Sequence, residues 1–244
     1  MSPGVITVFA IIGVLAGMGV RPIVFALSVP TGQPPRTSCP RCHALVLRRE
    51  RRAVVAVLVG RCRFCRTRIG VPPAMVEVVL GVVFTLLACR QSGVWVALAC
   101  CWLAAQGAAV ALVDIAVRRV PNVLAVSAYA GVVALLAVAG VVEHHPATLL
   151  RAALAGIGLV AFYGLIAVAS RGGLGMGDVK LAASLGTGMG WISVTAVVGG
   201  TLLGLFVAAI YGLAAIVASR SRWRAQFALG PFLVAGALVV LVIG

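Results

Sequence analysis

Asp114 and Asp178 are the only aspartates in a chain of 244 residues, and each lies beside a long apolar run. An ionisable carboxylate at membrane depth is costly, so its presence points to function. Two such groups in one site are the minimum equipment for acid and base hydrolysis. An ionised carboxylate takes a proton from water, and a protonated one donates to the carbonyl under attack. Each aspartate also has a plainer explanation. Asp114 sits in Leu112-Val113-Asp114-Ile115-Ala116-Val117-Arg118-Arg119-Val120-Pro121-Asn122, at the C-terminal end of a predicted helix. Its spacing to Arg118 suits a helical ion pair. Asp178 follows Gly172-Gly173-Leu174-Gly175-Met176-Gly177 and precedes an apolar run, where an N-cap belongs. The two helix ends act in opposite directions, favouring an anion at Asp178 and disfavouring one at Asp114. They therefore predict Asp178 as base and Asp114 as acid, in a pair that titrates as a unit.

Four cysteines form a second constellation. Cys39-Pro40-Arg41-Cys42 and Cys62-Arg63-Phe64-Cys65 are two Cys-x-x-Cys pairs separated by nineteen residues. That spacing fits a structural zinc ion held by four thiolates, one tight knuckle per pair. The β-branched run over 53–59 predicts a short strand between the knuckles. His43 is a substitute ligand, although four cysteines already close the site. The plainer alternative is a set of reduced thiols on an arginine-rich loop that touches lipid headgroups. Cys89, Cys100 and Cys101 fall in or at the ends of apolar runs and read as small buried side chains.

The elements that must position these groups are membrane helices. Hydrophobic residues make up 62% of the chain, charged residues 10%, and the mean hydropathy is +1.16. Soluble domains carry about 25% charged residues, so the fold class is an all-α polytopic membrane protein. About eight apolar segments qualify as spans: 5–29, 74–89, 94–113, 123–142, 152–169, 179–189, 191–218 and 228–243. The sixth is too short to cross alone and the seventh too long. A moved boundary, a tilt or a kink at Gly199-Gly200 would share residues between them. The N-terminus lacks a basic n-region and reads as a retained first helix.

The net charge of +15 does not indicate nucleic acid, because the basic residues lie in the connections. Ten arginines fall between the first two segments, and 17 of the 20 basic residues lie in loops on one side. That side is predicted to be cytoplasmic, where basic loops also favour anionic lipid headgroups. Asp114 and Asp178 both arrive at this face. Three regions follow: 1–30 as the first transmembrane helix, 31–73 as a cytoplasmic four-cysteine loop, and 74–244 as the membrane core.

Several stretches, in order, resemble the type IV prepilin peptidases, membrane aspartic proteases with a Gly-x-Gly-Asp motif. Gly175-Met176-Gly177-Asp178-Val179-Lys180-Leu181 is the most specific match. Asp114 followed by Arg119, Pro121 and Asn122 resembles the first aspartate segment of that family. The paired Cys-x-x-Cys loop, the stretch from Ile69 to Glu77, and Phe227-Ala228-Leu229-Gly230-Pro231-Phe232 complete the likeness.

This resemblance implies Asp114 and Asp178 as catalytic residues, with Gly175, Gly177 and Lys180 as motif support. It implies removal of the short basic leader from prepilins or pseudopilins at the cytoplasmic face of a bacterial plasma membrane. It also implies N-methylation of the new N-terminus from S-adenosylmethionine, with 31–73 associated with that activity and Glu77 a candidate in a methyl-donor site. Glu77 alone reads equally as a helix N-terminal carboxylate. Arg21-Pro22-Ile23-Val24-Phe25-Ala26-Leu27 departs from the Asn and Tyr-Arg pair of the family, and Pro73 and Ala74 stand where its Tyr and Pro are expected. No glycine-rich strand-turn-helix fingerprint for a nucleotide-like group is present. A rival class is a proton- or ion-coupled transporter using the two aspartates as relays. It predicts related halves of the chain, and no convincing internal repeat is present.

Overall fold

The computed structural model describes residues 2–30, 32–46, 59–170, 174–219 and 228–243. Among the described residues the chain forms eight helices: α1 (Pro3–Leu27), α2 (Met75–Arg90), α3 (Val94–Val117), α4 (Asn122–Val142), α5 (Pro146–Ala169), α6 (Met176–Ile192), α7 (Val194–Ser219) and α8 (Gly230–Ile243). In lipid every backbone N–H and C=O must find a partner within the protein, which a helix provides along its whole length. Five of the helices, α1, α3, α4, α5 and α7, are long and apolar enough to cross a membrane. The protein is a multi-pass, all-helical membrane protein. Most of the predicted strand between the knuckles lies outside the described residues.

The chain divides into two units, residues 1–89 and 90–244. In the first, α1 and α2 approach closely over glycines. A Cβ on Gly13 would lie 2.5 Å from the Leu80 carbonyl oxygen, and one on Gly17 would lie 2.6 Å from the Glu77 Cα. Helices in lipid gain from such contact because small residues let backbone atoms pack directly.

In the second unit α6 is the inner helix, with 12 of its 17 residues buried. The helices α3, α4, α5, α7 and α8 all pack against it. Its seam with α5 is again built from small residues: a Cβ on Gly186 would stand 2.8 Å from the Ala155 carbonyl oxygen. The sixth apolar segment is short because the helix runs from Met176 to Ile192, past the apolar run at both ends.

The boundary between the sixth and seventh segments falls at Ser193, not at a kink over Gly199-Gly200. Ser193 is extended, at φ −167° and ψ 165°. Its hydroxyl accepts the Ala196 N–H at 2.9 Å and so caps α7. Gly200 is instead a packing position, its hypothetical Cβ 2.4 Å from Met189 Sδ. The carbonyls at the end of α6 are taken by Arg151, which donates to Gly190 O at 2.8 Å, Trp191 O at 2.5 Å and Ile192 O at 3.1 Å. A cation at a helix C-terminus also complements the dipole. Arg151→Leu therefore removes three charge-assisted bonds from carbonyls with few other donors. It is expected to cost about 3 kcal/mol, measured as a lower thermal unfolding midpoint in detergent.

Candidate active site

Asp114 lies inside α3, in its last turn, not beyond it. The helix runs on to Val117 and stops at Arg118, which adopts the left-handed conformation at φ 52° and ψ 46° and donates its N–H to the Asp114 carbonyl. The Asp114 carboxyl is buried, at 5% exposure. Among the described residues the sole ion pair joins Arg21 to Glu77, so the Asp114–Arg118 pair allowed by the spacing does not form. Asp178 is likewise not a cap. The N-cap of α6 is Gly175, and Asp178 is the third helical residue, with its N–H bonded to the Gly175 carbonyl at 3.0 Å. Its side chain is buried at 8% exposure, and Oδ1 has no hydrogen-bond partner. Both plain explanations for the aspartates are thereby removed.

Chain alternation brings the end of α3, the start of α6 and the start of α8 to one end of this unit. Gly230, the first residue of α8, donates its N–H to Asp114 Oδ2 at 3.1 Å. A Cβ on Gly230 would lie 2.9 Å from Asp114 Oδ2 and 3.6 Å from Asp178 Oδ1. The two carboxyls therefore converge on one point. The backbone donor falls on Asp114, opposite to the assignment drawn from helix ends alone, because the N-terminus of a third helix, α8, faces that residue.

The glycines of the Gly-x-Gly-Asp segment have separate reasons. A Cβ on Gly175 would sit 3.4 Å from Asp178 Oδ2, at the mouth of the carboxyl. One on Gly177 would lie 2.6 Å from Val120 Cβ, a contact closer than carbon atoms tolerate. Val120 belongs to the connection between α3 and α4. The same connection leads to Asn122, whose Oδ1 accepts a hydrogen bond from Lys180 Nζ at 2.8 Å. Gly177 and Lys180 thus tie the stretch of chain leaving Asp114 to the helix carrying Asp178.

In the first unit the four predicted ligands come together. The Sγ atoms of Cys39, Cys42, Cys62 and Cys65 all lie within 4.8 Å of one another. Across the knuckles Cys39 and Cys65 are 3.7 Å apart, and Cys42 and Cys62 are 3.6 Å apart. Tetrahedral zinc with Zn–S near 2.3 Å requires S···S edges of about 3.8 Å, close to these two cross-knuckle separations. The knuckles repeat one another. Each is closed by an isolated antiparallel bridge, Ser38 with Leu45 and Arg61 with Arg68. Each turns through a left-handed residue, His43 at φ 56° and Arg66 at φ 55°. His43 is thus a turn residue here.

The thiols are electrostatically unequal. The Thr67 hydroxyl and backbone N–H hold Cys65 down at about 6. The N–H groups of Cys65 and Phe64 lower Cys62. At Cys42 the Ala44 N–H acts downward, but burial and three neighbouring thiols outweigh it and push the group up to about 12. A divalent cation supplies the charge that lets four clustered thiols ionise together.

Glu77 is buried in the first turn of α2 and paired with Arg21 Nη1 at 3.0 Å. Arg21, at 1% exposure, also donates to the Val71 carbonyl at 3.1 Å. The second carboxylate oxygen, Glu77 Oε2, is buried without a hydrogen-bond partner. By its place in the chain Arg21 is only a cation inside the first segment; its pairing with Glu77 across 56 positions is a tertiary fact.

Comparison with known proteins bears on both units. The model of the type IV leader peptidase family matches residues 95–217, and that of the bacterial peptidase A24 N-terminal domain matches residues 11–91. The chain is 26% identical over 220 residues to a prepilin leader peptidase/N-methyltransferase of Neisseria gonorrhoeae, covering 84% of this chain and 70% of the relative. It is 29% identical over 220 residues to the protein of that name from Burkholderia pseudomallei, covering 86% and 68%. It is 33% identical over 161 residues to a type 4 prepilin-like proteins leader peptide-processing enzyme of Escherichia coli O78:H11, covering 62% of this chain and 57% of the relative. No solved structure matches the chain.

Proposed function

The chain belongs to the type IV leader peptidase family, and from that premise we propose that Asp114 and Asp178 are the catalytic pair with which it cleaves the leader from type IV prepilins. The observation that carries this reading is the convergence of two buried carboxyls on Gly230, at hypothetical Cβ distances of 2.9 and 3.6 Å. Two carboxyls this close in a low-dielectric setting share one proton. Water between them loses a proton to the ionised carboxylate as its oxygen attacks the scissile carbonyl. The protonated partner donates to the carbonyl oxygen. Collapse of the tetrahedral intermediate breaks the C–N bond, and the leaving amine takes a proton from the pair. The hydrogen bond from Gly230 supports Asp114 as the member that carries the charge. Membership of a peptidase family does not favour the transporter alternative.

The excess of basic residues in loops on one side supports a cytoplasmic active site. A basic leader followed by an apolar helix suits an anionic pair at that interface. Apolar residues such as Ile11, Val79, Leu165 and Leu202 are exposed along the helices and suit contact with lipid. For the first unit we infer one structural zinc ion on Cys39, Cys42, Cys62 and Cys65. N-methylation of the new N-terminus is the second inferred activity, on the strength of the relatives' names. The unpartnered Glu77 Oε2 offers an acceptor for a hydroxyl or amine of S-adenosylmethionine, which when bound supplies the methyl group; Arg21 would hold that carboxylate in place.

Mass spectrometry of a co-expressed prepilin tests the whole reading. Loss of the leader with an added methyl on the new N-terminus is expected. An intact leader with several prepilins and pseudopilins would count against the peptidase assignment, and cleavage without the methyl against the second activity alone.

A further inference from the structure

Gly230 opens α8, a helix of 14 residues, and its N–H belongs to the set that a helix leaves without an internal partner. That N–H meets Asp114 Oδ2 at 3.1 Å in a buried bond. The space beside it is walled by a second carboxyl, since Asp178 Oδ1 lies 3.6 Å from where a Cβ of residue 230 would be. That oxygen is buried and has no hydrogen-bond partner, on a residue only 8% exposed. One backbone position thus faces both carboxyls, donating to the first and leaving the second open.

Resting on the catalytic assignment above, we propose that Gly230 is a positioning residue for peptide cleavage. Its N–H fixes the rotation of the Asp114 carboxyl, and its missing side chain keeps open the volume where water and the scissile carbonyl meet the pair. The start of α8 is poorly able to move away from Asp114. The Phe232 and Leu233 N–H groups are already bonded to the Leu229 carbonyl at 3.0 and 3.3 Å. Further along the helix Gly236 presses on α7, its hypothetical Cβ 2.4 Å from the Gly200 carbonyl oxygen. A methyl group at 230 would stand 2.9 Å from Asp114 Oδ2, so the carboxyl is what gives way. The helix N-terminus adds a favourable field at the same oxygen.

The test compares four full-length proteins in lipid nanodiscs, assayed on a leader-bearing prepilin. They are the wild type, Asp178→Asn, Gly230→Ala, and a chain made by cell-free synthesis in which glycolic acid at position 230 replaces the N–H by an ester oxygen. Both position-230 variants are expected to lose about 10–100-fold in kcat, the scale of a hydrogen bond to a charged group. For the ester chain KM is expected to stay within about twofold, because it adds no atom to the substrate volume. If Gly230→Ala does not fold, the ester chain decides, since it adds no side-chain atom. An ester chain with wild-type kcat, or a loss confined to KM, overturns the positioning role. A wild type that does not cleave, or an Asp178→Asn protein that does, overturns the catalytic assignment beneath it, so the two failures are told apart.

Discussion

Asp114→Asn and Asp178→Asn are each expected to lower kcat for leader cleavage by roughly 10³-fold or more, with the protein still folded. Asparagine keeps the shape of the side chain and an oxygen that can accept the Gly230 N–H, so the 3.1 Å contact at Asp114 survives the change. What it removes is the proton. An amide at position 114 no longer takes one from water, and an amide at position 178 no longer gives one to the scissile carbonyl. The double variant is expected to be no worse than either single one, because the two residues act as a unit. Leader cleavage measured by gel shift or mass spectrometry, beside thermal unfolding of the same preparations, checks this. Turnover within tenfold of wild type in either single variant would sink the dyad.

Loss of any one of Cys39, Cys42, Cys62 or Cys65 to serine is expected to lower bound zinc from about one ion per chain to below roughly a tenth. The described loop has little else to hold it. Its buried cluster consists of Phe25, Cys39, Val46, Cys62 and Ile69, and two of those five are proposed zinc ligands. So small a core does little to offset the entropy of ordering the loop, and the proposed zinc ion would supply the difference. Elemental analysis of purified protein reads the stoichiometry. Limited proteolysis reads the fold, and cleavage within 36–70 is expected to appear in the cysteine variants and in chelated wild type. Wild type that purifies without zinc and resists protease equally with and without chelator would refute the site.

Much of the architecture was legible because lipid imposes strict rules. A helix in hydrocarbon must be a long apolar run, so the runs themselves announced eight helices. The four-cysteine cluster was legible because knuckle geometry demands a Cys-x-x-Cys spacing that has few other causes. The ends of α3 and α6 were not. Apolar runs stop at the first charged residue, whereas helices stop where backbone hydrogen bonding stops. Asp114 and Asp178 therefore fell outside their segments in the sequence and inside their helices in the structure. The break at Ser193 was obscured for a related reason. The carbonyls it leaves free are taken by Arg151, some 40 positions away from Trp191.

Residue type and order alone determined which groups can do chemistry here: two aspartates in a chain nearly free of acids, four paired cysteines, and the family to which the flanking motifs point. Local spacing carries that information because motifs are short and membrane helices are written in composition. Only the tertiary structure decided what each group faces. It put the start of α8 against Asp114 and left one Asp178 oxygen without a partner. It set Arg21 on Glu77 and Val120 on Gly177. Each of these is a contact between residues far apart in the chain, chosen by how helices pack, and packing depends on all the helices at once.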